Sequence, residues 1–190
     1  MKKIFLLAII SIVAVLFLFI RCMNTQTKET KSKTLIVYYS RTGNTEALAN
    51  HIQALTGADM FKIETVEAYP EDYPELTEIA QAEKNNQVRP AIKEEVDNID
   101  QYDAIFIGFP IWWGTLPMVM ATFLESYSLE GKTIIPFCTH GNGGVDQGFI
   151  EVQKLSSKAN HKEGFSLKGI HVDSARLDVE KWLKAIQVID

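Results

Sequence analysis

Apolar and polar positions along this chain fall into two rhythms that alternate from residue 34 to the end. "TLIVYY" (34–39) is an unbroken apolar, β-branched and aromatic run, the pattern of a strand buried on both faces. Thr45 to Leu55 then places Ala47, Leu48, Ile52 and Leu55 at helical spacing, and Gly57 predicts the stop. "DMFKIE" (59–64) alternates as a strand does, and residues 65–74, with Pro70 and Pro74, read as a loop. "ELTEIAQAEKNN" predicts a helix that ends before Pro90. "DAIFIGFP" (103–110) is a second buried strand, "PMVMATFLESY" (117–127) a helix with proline in its first turn, and "KTIIPFCT" (132–139) a third buried strand. Residues 146–156 predict helix, "GFSLKGI" (164–170) a fifth strand, and "DVEKWLKAI" (178–186) a closing helix.

Strands that alternate with helices need crossover connections, and these place helices on both faces of a parallel sheet. The pattern therefore predicts an α/β domain over 34–190, a doubly wound five-stranded parallel sheet. In such sheets a ligand sits beyond the carboxyl ends of the strands, where the strand order reverses. The loops to inspect are 40–45, 110–116 and 139–147.

The start of the chain breaks this pattern. Ile4 to Ile20 is an apolar run with Ser11 as its only polar member. As a helix it would span about 26 Å, just short of a bilayer core of about 30 Å. It predicts an N-terminal membrane anchor or signal segment over 1–21, followed by a polar linker over 22–33. No A-x-A-like cleavage site follows the run, which favours an uncleaved anchor. Cys22 raises the alternative of a lipoprotein site, against which Arg21 stands where a small residue is expected. Lysine and arginine flank both ends of the run, so the membrane side is left open.

Charge narrows the functional classes. Residues 1–33 carry six of the 19 basic and one of the 24 acidic side chains, which leaves a formal −10 on residues 34–190. So acidic a body argues against nucleic-acid binding, which needs a basic face. The two cysteines, Cys22 and Cys138, form neither a disulfide framework nor a CxxC motif. Cys138 reads as a buried small hydrophobe. His51, His161 and His171 show no metal spacing.

The first loop, "SRTGNT" (40–45), holds Ser40, Thr42, Gly43, Asn44 and Thr45 at a strand-to-helix turn, with no lysine. Open N–H groups and the helix dipole make such a turn an anion site. An ordinary cap needs one residue of this kind. Five within six positions exceed that need and favour a terminal phosphate. Neither the Walker A pattern nor GxGxxG is present. In "GFPIWWGTLP" two adjacent tryptophans close the central strand, and they cannot both point into one core. Trp112 or Trp113, shaped by Pro110 and Gly114, offers a flat face to an aromatic ligand.

With these residues in view the sequence resembles the flavodoxin family. "SRTGNTE" matches that family's loop for the phosphate of flavin mononucleotide (FMN), with Ser40, Thr42, Gly43, Asn44 and Thr45 on the binding positions. "YDAIFIGFPIWWGTLP" is similar to the flavin-contacting segment of its oxidoreductase branch, as are the upstream "YPEDY" and "RPAI". The resemblance spans roughly residues 34–188 and implies a flavodoxin-like strand order, 2-1-3-4-5. It places Pro110, Ile111, Trp112, Trp113 and Gly114, and then Thr139, His140, Gly141 and Gly143, along the flavin. His140 departs from the small residue common there. It is read as a surface-loop residue, the alternative being a donor near the ring. The resemblance implies an FMN-dependent oxidoreductase, with NAD(P)H as donor and a quinone-like acceptor. The competing expectation is a one-electron carrier between protein partners, with a redox protein as donor. Either would be held to a membrane through residues 4–20.

Overall fold

The computed structural model describes residues 33–143 and 145–190. The expected anchor, most of the linker, and Cys22 lie outside them. Among the described residues no helix is long and apolar enough to cross a membrane. Lys33, the last residue of the expected linker, already belongs to the domain. Its backbone N–H donates to Asp103, its ammonium pairs with Asp59 at 3.2 Å and lies over the Tyr102 ring.

Six strands form one sheet: β1 (Thr34–Tyr38), β2 (Asp59–Lys62), β3 (Ala104–Pro110), β4 (Thr133–His140), β5 (Asn160–His161) and β6 (Phe165–Lys168). Among the described residues five α-helices cover it: α1 (Asn44–Thr56), α2 (Tyr73–Asn86), α3 (Met118–Ser126), α4 (Val145–Leu155) and α5 (Arg176–Ala185). Every pairing within the sheet is parallel, in the order β2-β1-β3-β4, and both β5 and β6 lie beside β4. This is the 2-1-3-4-5 arrangement, with its fifth place shared by two short strands.

The single fifth strand expected over 164–170 is thus corrected to a broken one, and the break has a cause in the packing around it. It falls beside Pro136 of β4, which has no N–H to give an edge partner. At Gly164 a Cβ would stand 2.7 Å from the Phe149 ring and 2.9 Å from Pro136, so the chain turns tightly under both.

Consecutive residues of the central strands feed two separate cores. Leu35, Val37, Ile105, Ile107 and Phe109 pack with α3 and α4, while Ile36, Tyr38 and Phe106 pack with α1 and α5. Each fully buried side chain of this size contributes roughly 1.5–3 kcal/mol, so burial on both faces fixes the strand assignments. Gly108 is the exception in β3. The Phe137 ring fills its side-chain position, where a Cβ would lie 2.2 Å from Cζ. Cys138 is fully buried, and burial pushes its thiol up to about 12, as befits an inert core residue.

Candidate functional site

β1, β3, β4 and β6 all end on one side of the sheet, and a cleft of about 750 Å³ opens there. Its walls come from five places in the sequence. Thr42 and Asn44 lie at the start of α1, Pro110 to Trp113 at the end of β3, Thr139 to Asn142 at the end of β4, and Lys168 to Ile170 at the end of β6. Helix α2 supplies the remaining wall through Tyr73, Leu76, Thr77 and Ala80.

The polar end is organised around the start of α1. Gly43 occupies the cap position at φ 88°, a left-handed conformation that favours glycine, and provides no side-chain acceptor for the helix amides. A Cβ at Gly43 would meet nothing within 4 Å, so space lies open above it. Ser40 reaches into the helix instead, where its Oγ accepts the Glu46 N–H at 3.2 Å. Thr45 is buried, and its Oγ1 shares a 2.8 Å hydrogen bond with Thr139 Oγ1, tying the loop to the end of β4. Of the five loop residues singled out by sequence, Thr42 and Asn44 line the cleft. Ser40, Gly43 and Thr45 shape the loop.

The aromatic end resolves the pair of tryptophans. Trp112 turns inward and packs edge-on against Tyr39 and Tyr69, at centroid separations of 5.5 and 5.2 Å. Trp113 turns outward and is 46% exposed. Between Trp112 and Thr115 the backbone exchanges two hydrogen bonds, of 2.9 and 3.0 Å. The two residues enclosed, Trp113 and Gly114, have φ of 49° and 77°. Positive φ at both centres of a two-residue turn suits Gly and Asn, and is strained for a bulky side chain. Helix α2 holds that turn in place. Trp113 Nε1 donates to the Thr77 carbonyl at 2.8 Å, and Lys84 Nζ donates to the Trp113 carbonyl at 2.7 Å. Behind Trp112, the Tyr69 hydroxyl donates to Glu83 at 2.8 Å. Burial raises both of these groups' pKa values, and Glu83 further raises that of Tyr69.

His140 is corrected by its position. It is half-buried in the cleft wall, and its Nδ1 is buried without a hydrogen-bond partner. Desolvation, and then the nearby Lys168 ammonium, lower its pKa and favour the neutral imidazole. Gly141 lines the cleft, while Gly114 and Gly143 (φ 146°) shape its loops from outside. Among the described residues, no group of three His, Cys, Asp or Glu is placed to hold a metal ion.

Motif reading reached Tyr73 through "YPEDY" but missed Leu76, Thr77 and Ala80 of α2, together with Asn142, Lys168, Gly169 and Ile170. The last three were open to inference from topology, because they follow the strand at the fifth place of the sheet. Its carboxyl end joins the same ligand-facing edge.

A flavodoxin family model matches residues 33–186. The chain belongs to the flavodoxin family. A solved structure of a candidate flavoprotein from Bacteroides eggerthii is 34% identical and covers 83% of this flavodoxin-family chain and 99% of its own, with a TM-score of 0.72. A flavoprotein from Lactobacillus acidophilus, solved in complex with FMN, shares the fold at 23% identity, covering 80% of this chain and 98% of its own, with a TM-score of 0.66. Among curated proteins, an NAD(P)H dehydrogenase (quinone) from Nitrobacter winogradskyi is 34% identical over 99 residues, 50% of this chain and 46% of that enzyme. The chain thus spans about half the length of that relative.

Proposed function

We propose that the cleft holds FMN and that the protein is an oxidoreductase, passing electrons from NAD(P)H to a quinone-like acceptor. The observation that carries this reading is the two-ended cleft: open helix amides with Thr42 and Asn44 at one end, indoles at the other. The residues fit the cofactor. Gly43 leaves room for a phosphate to approach the start of α1, and the unpartnered His140 Nδ1 marks a wall with unspent hydrogen-bonding capacity. Thr42, Asn44 and the helix amides would hold the phosphate. Pro110, Ile111, Trp112 and Trp113 would flank the ring and exclude water, with Thr139 to Gly141 along its edge. When bound, FMN accepts and releases the electrons, chemistry that no side chain here supplies.

The Nitrobacter winogradskyi relative supports a nicotinamide donor and a quinone acceptor. The apolar run at residues 4–20 suits a lipid-soluble quinone. A second reading, a one-electron carrier between proteins, draws support from the formal −10 of residues 34–190, which would steer basic protein partners.

The deciding experiment uses the full-length chain in detergent. Purified protein should be yellow, or become yellow with added FMN. NADPH added without air should then bleach it rapidly. Colour that persists with NADPH supports the carrier reading, and protein that stays colourless in excess FMN overturns both.

A further inference from the structure

The loop assigned above to the phosphate contains no lysine, and its one arginine, Arg41, does not line the cleft, although its buried Nε has no hydrogen-bond partner. Arg41 donates to the Pro70 carbonyl at 2.7 Å. A phosphate carries about −1.5 to −2 charge near neutral pH, and helix amides supply only partial charges.

The fold brings a full positive charge to the same place from more than a hundred residues away. β6 ends at Lys168, which sits opposite His140 in the β4–β6 register. The next residue, Gly169, is pressed against the first residue of α1: a Cβ there would lie 2.5 Å from Asn44 Nδ2. Further along α1, His51 hydrogen-bonds the Val172 carbonyl at 2.9 Å. The end of β6 is therefore clasped to the start of α1.

Charge around the cleft is selective. Although residues 34–190 carry a formal −10, no carboxylate among the described residues lines this cleft, and Lys168 is the one fixed charge among them that does. His140 beside it is held toward the neutral form. Among the described residues Lys168 belongs to no ion pair, whereas several lysines elsewhere pair with Asp or Glu. An unpaired ammonium in a cleft cleared of carboxylates is placed to meet an anion.

We propose that Lys168 is the counter-ion of the cofactor phosphate and makes the cleft select FMN over riboflavin. This rests on the FMN reading, and the test separates the two. Full-length wild-type chain, Lys168→Met and Lys168→Arg are titrated with FMN and with riboflavin, following flavin fluorescence. Lys168→Met should weaken FMN by about tenfold to a hundredfold and leave riboflavin within about twofold. Lys168→Arg should keep most of the FMN affinity. Raising the salt concentration should weaken FMN binding to wild type more steeply than to Lys168→Met. Equal loss for both flavins, or no loss for either, overturns the assignment while leaving the FMN reading intact. Wild-type chain that binds neither flavin overturns both.

Discussion

Helices α1 and α2 start at the same cleft, with Asn44 and Tyr73 as first residues on its walls, and they take their caps from different places. α2 caps itself. Asp72 sits in extended backbone, its carboxylate accepts the Glu75 N–H at 3.0 Å, and a proline follows in the first turn. α1 begins at Gly43 with no side-chain acceptor at the cap position. A polar cap in place of alanine is worth about 1 kcal/mol; α1 takes its cap from outside the helix, Ser40 accepting the Glu46 N–H, and so leaves the space over Gly43 and the first amides to a phosphate. Local stability and ligand capacity compete for the same four N–H groups. The two helices resolve that competition differently.

Giving α1 the residue that caps α2 should produce the largest effect. Gly43→Asp would place a carboxylate where the phosphate approaches. Like charges in such contact cost several kcal/mol, so FMN affinity should fall by about a hundredfold or more, read by fluorescence titration. Aspartate at φ 88° is strained, at a cost of about 1–3 kcal/mol, so the ligand-free melting temperature should fall by several degrees, and the affinity is read at a temperature where the variant is folded. FMN binding as tight as in wild type would show that α1 is open for some reason other than a phosphate.

Strain is stored at the other end of the cleft as well, and releasing it should act with opposite signs. Trp113 holds φ 49° in a turn whose geometry favours asparagine. Trp113→Asn should stabilise the ligand-free chain by roughly 0.5–1 kcal/mol, because the strained residue is replaced by one at ease there. The same change removes an indole from the cleft wall. Stacking contacts of this type are worth roughly 0.5–1.5 kcal/mol, so FMN should bind about threefold to tenfold more weakly. Denaturant unfolding and flavin titration on one preparation would check both signs. A variant that loses stability and affinity together would mean that the hydrogen bond to Thr77 outweighs the turn strain.

What the sequence revealed and what it hid follow the same division between local and distant causes. β1, β3 and β4 announced themselves because both their faces are buried, and an unbroken run as short as "TLIVYY" suits a buried strand better than a helix. The loop at 40–45 was legible because five residues of one chemical kind stand together. The fifth strand was legible at 164–170, where β6 lies, but its second short piece, β5, was not, because the break depends on Pro136 in a neighbouring strand and on a ring at Phe149, neither of them near in sequence. His140 looked like a surface residue by its loop. Its burial comes from packing that the sequence does not display. Lys168 and Gly169 gave no motif at all, since only the pairing of β6 with β4 brings them to Asn44. The tryptophan pair fell between these cases. Adjacency alone demanded that the two indoles part, but which one faces solvent was decided by the turn at Trp113–Gly114 and by Thr77 of α2.

The converse substitution, on α2, should have the smallest effect and is the control for the comparison. Asp72→Ala removes the acceptor of the Glu75 N–H and should cost about 1 kcal/mol. For a domain of this size that is a fall of about 2–4 °C in Tm. FMN affinity should change by less than about threefold. The reason lies in where α2 supports the cleft. Its two hydrogen bonds to the double-tryptophan turn come from Thr77 and Lys84, beyond the first turn. In the first turn the cleft residues are Tyr73, which is already 74% exposed, and Leu76, whose N–H bonds the Asp72 main-chain carbonyl that alanine keeps. A large loss of affinity in Asp72→Ala would mean that the cap of α2 serves the ligand too, and the contrast between the two helix starts would dissolve.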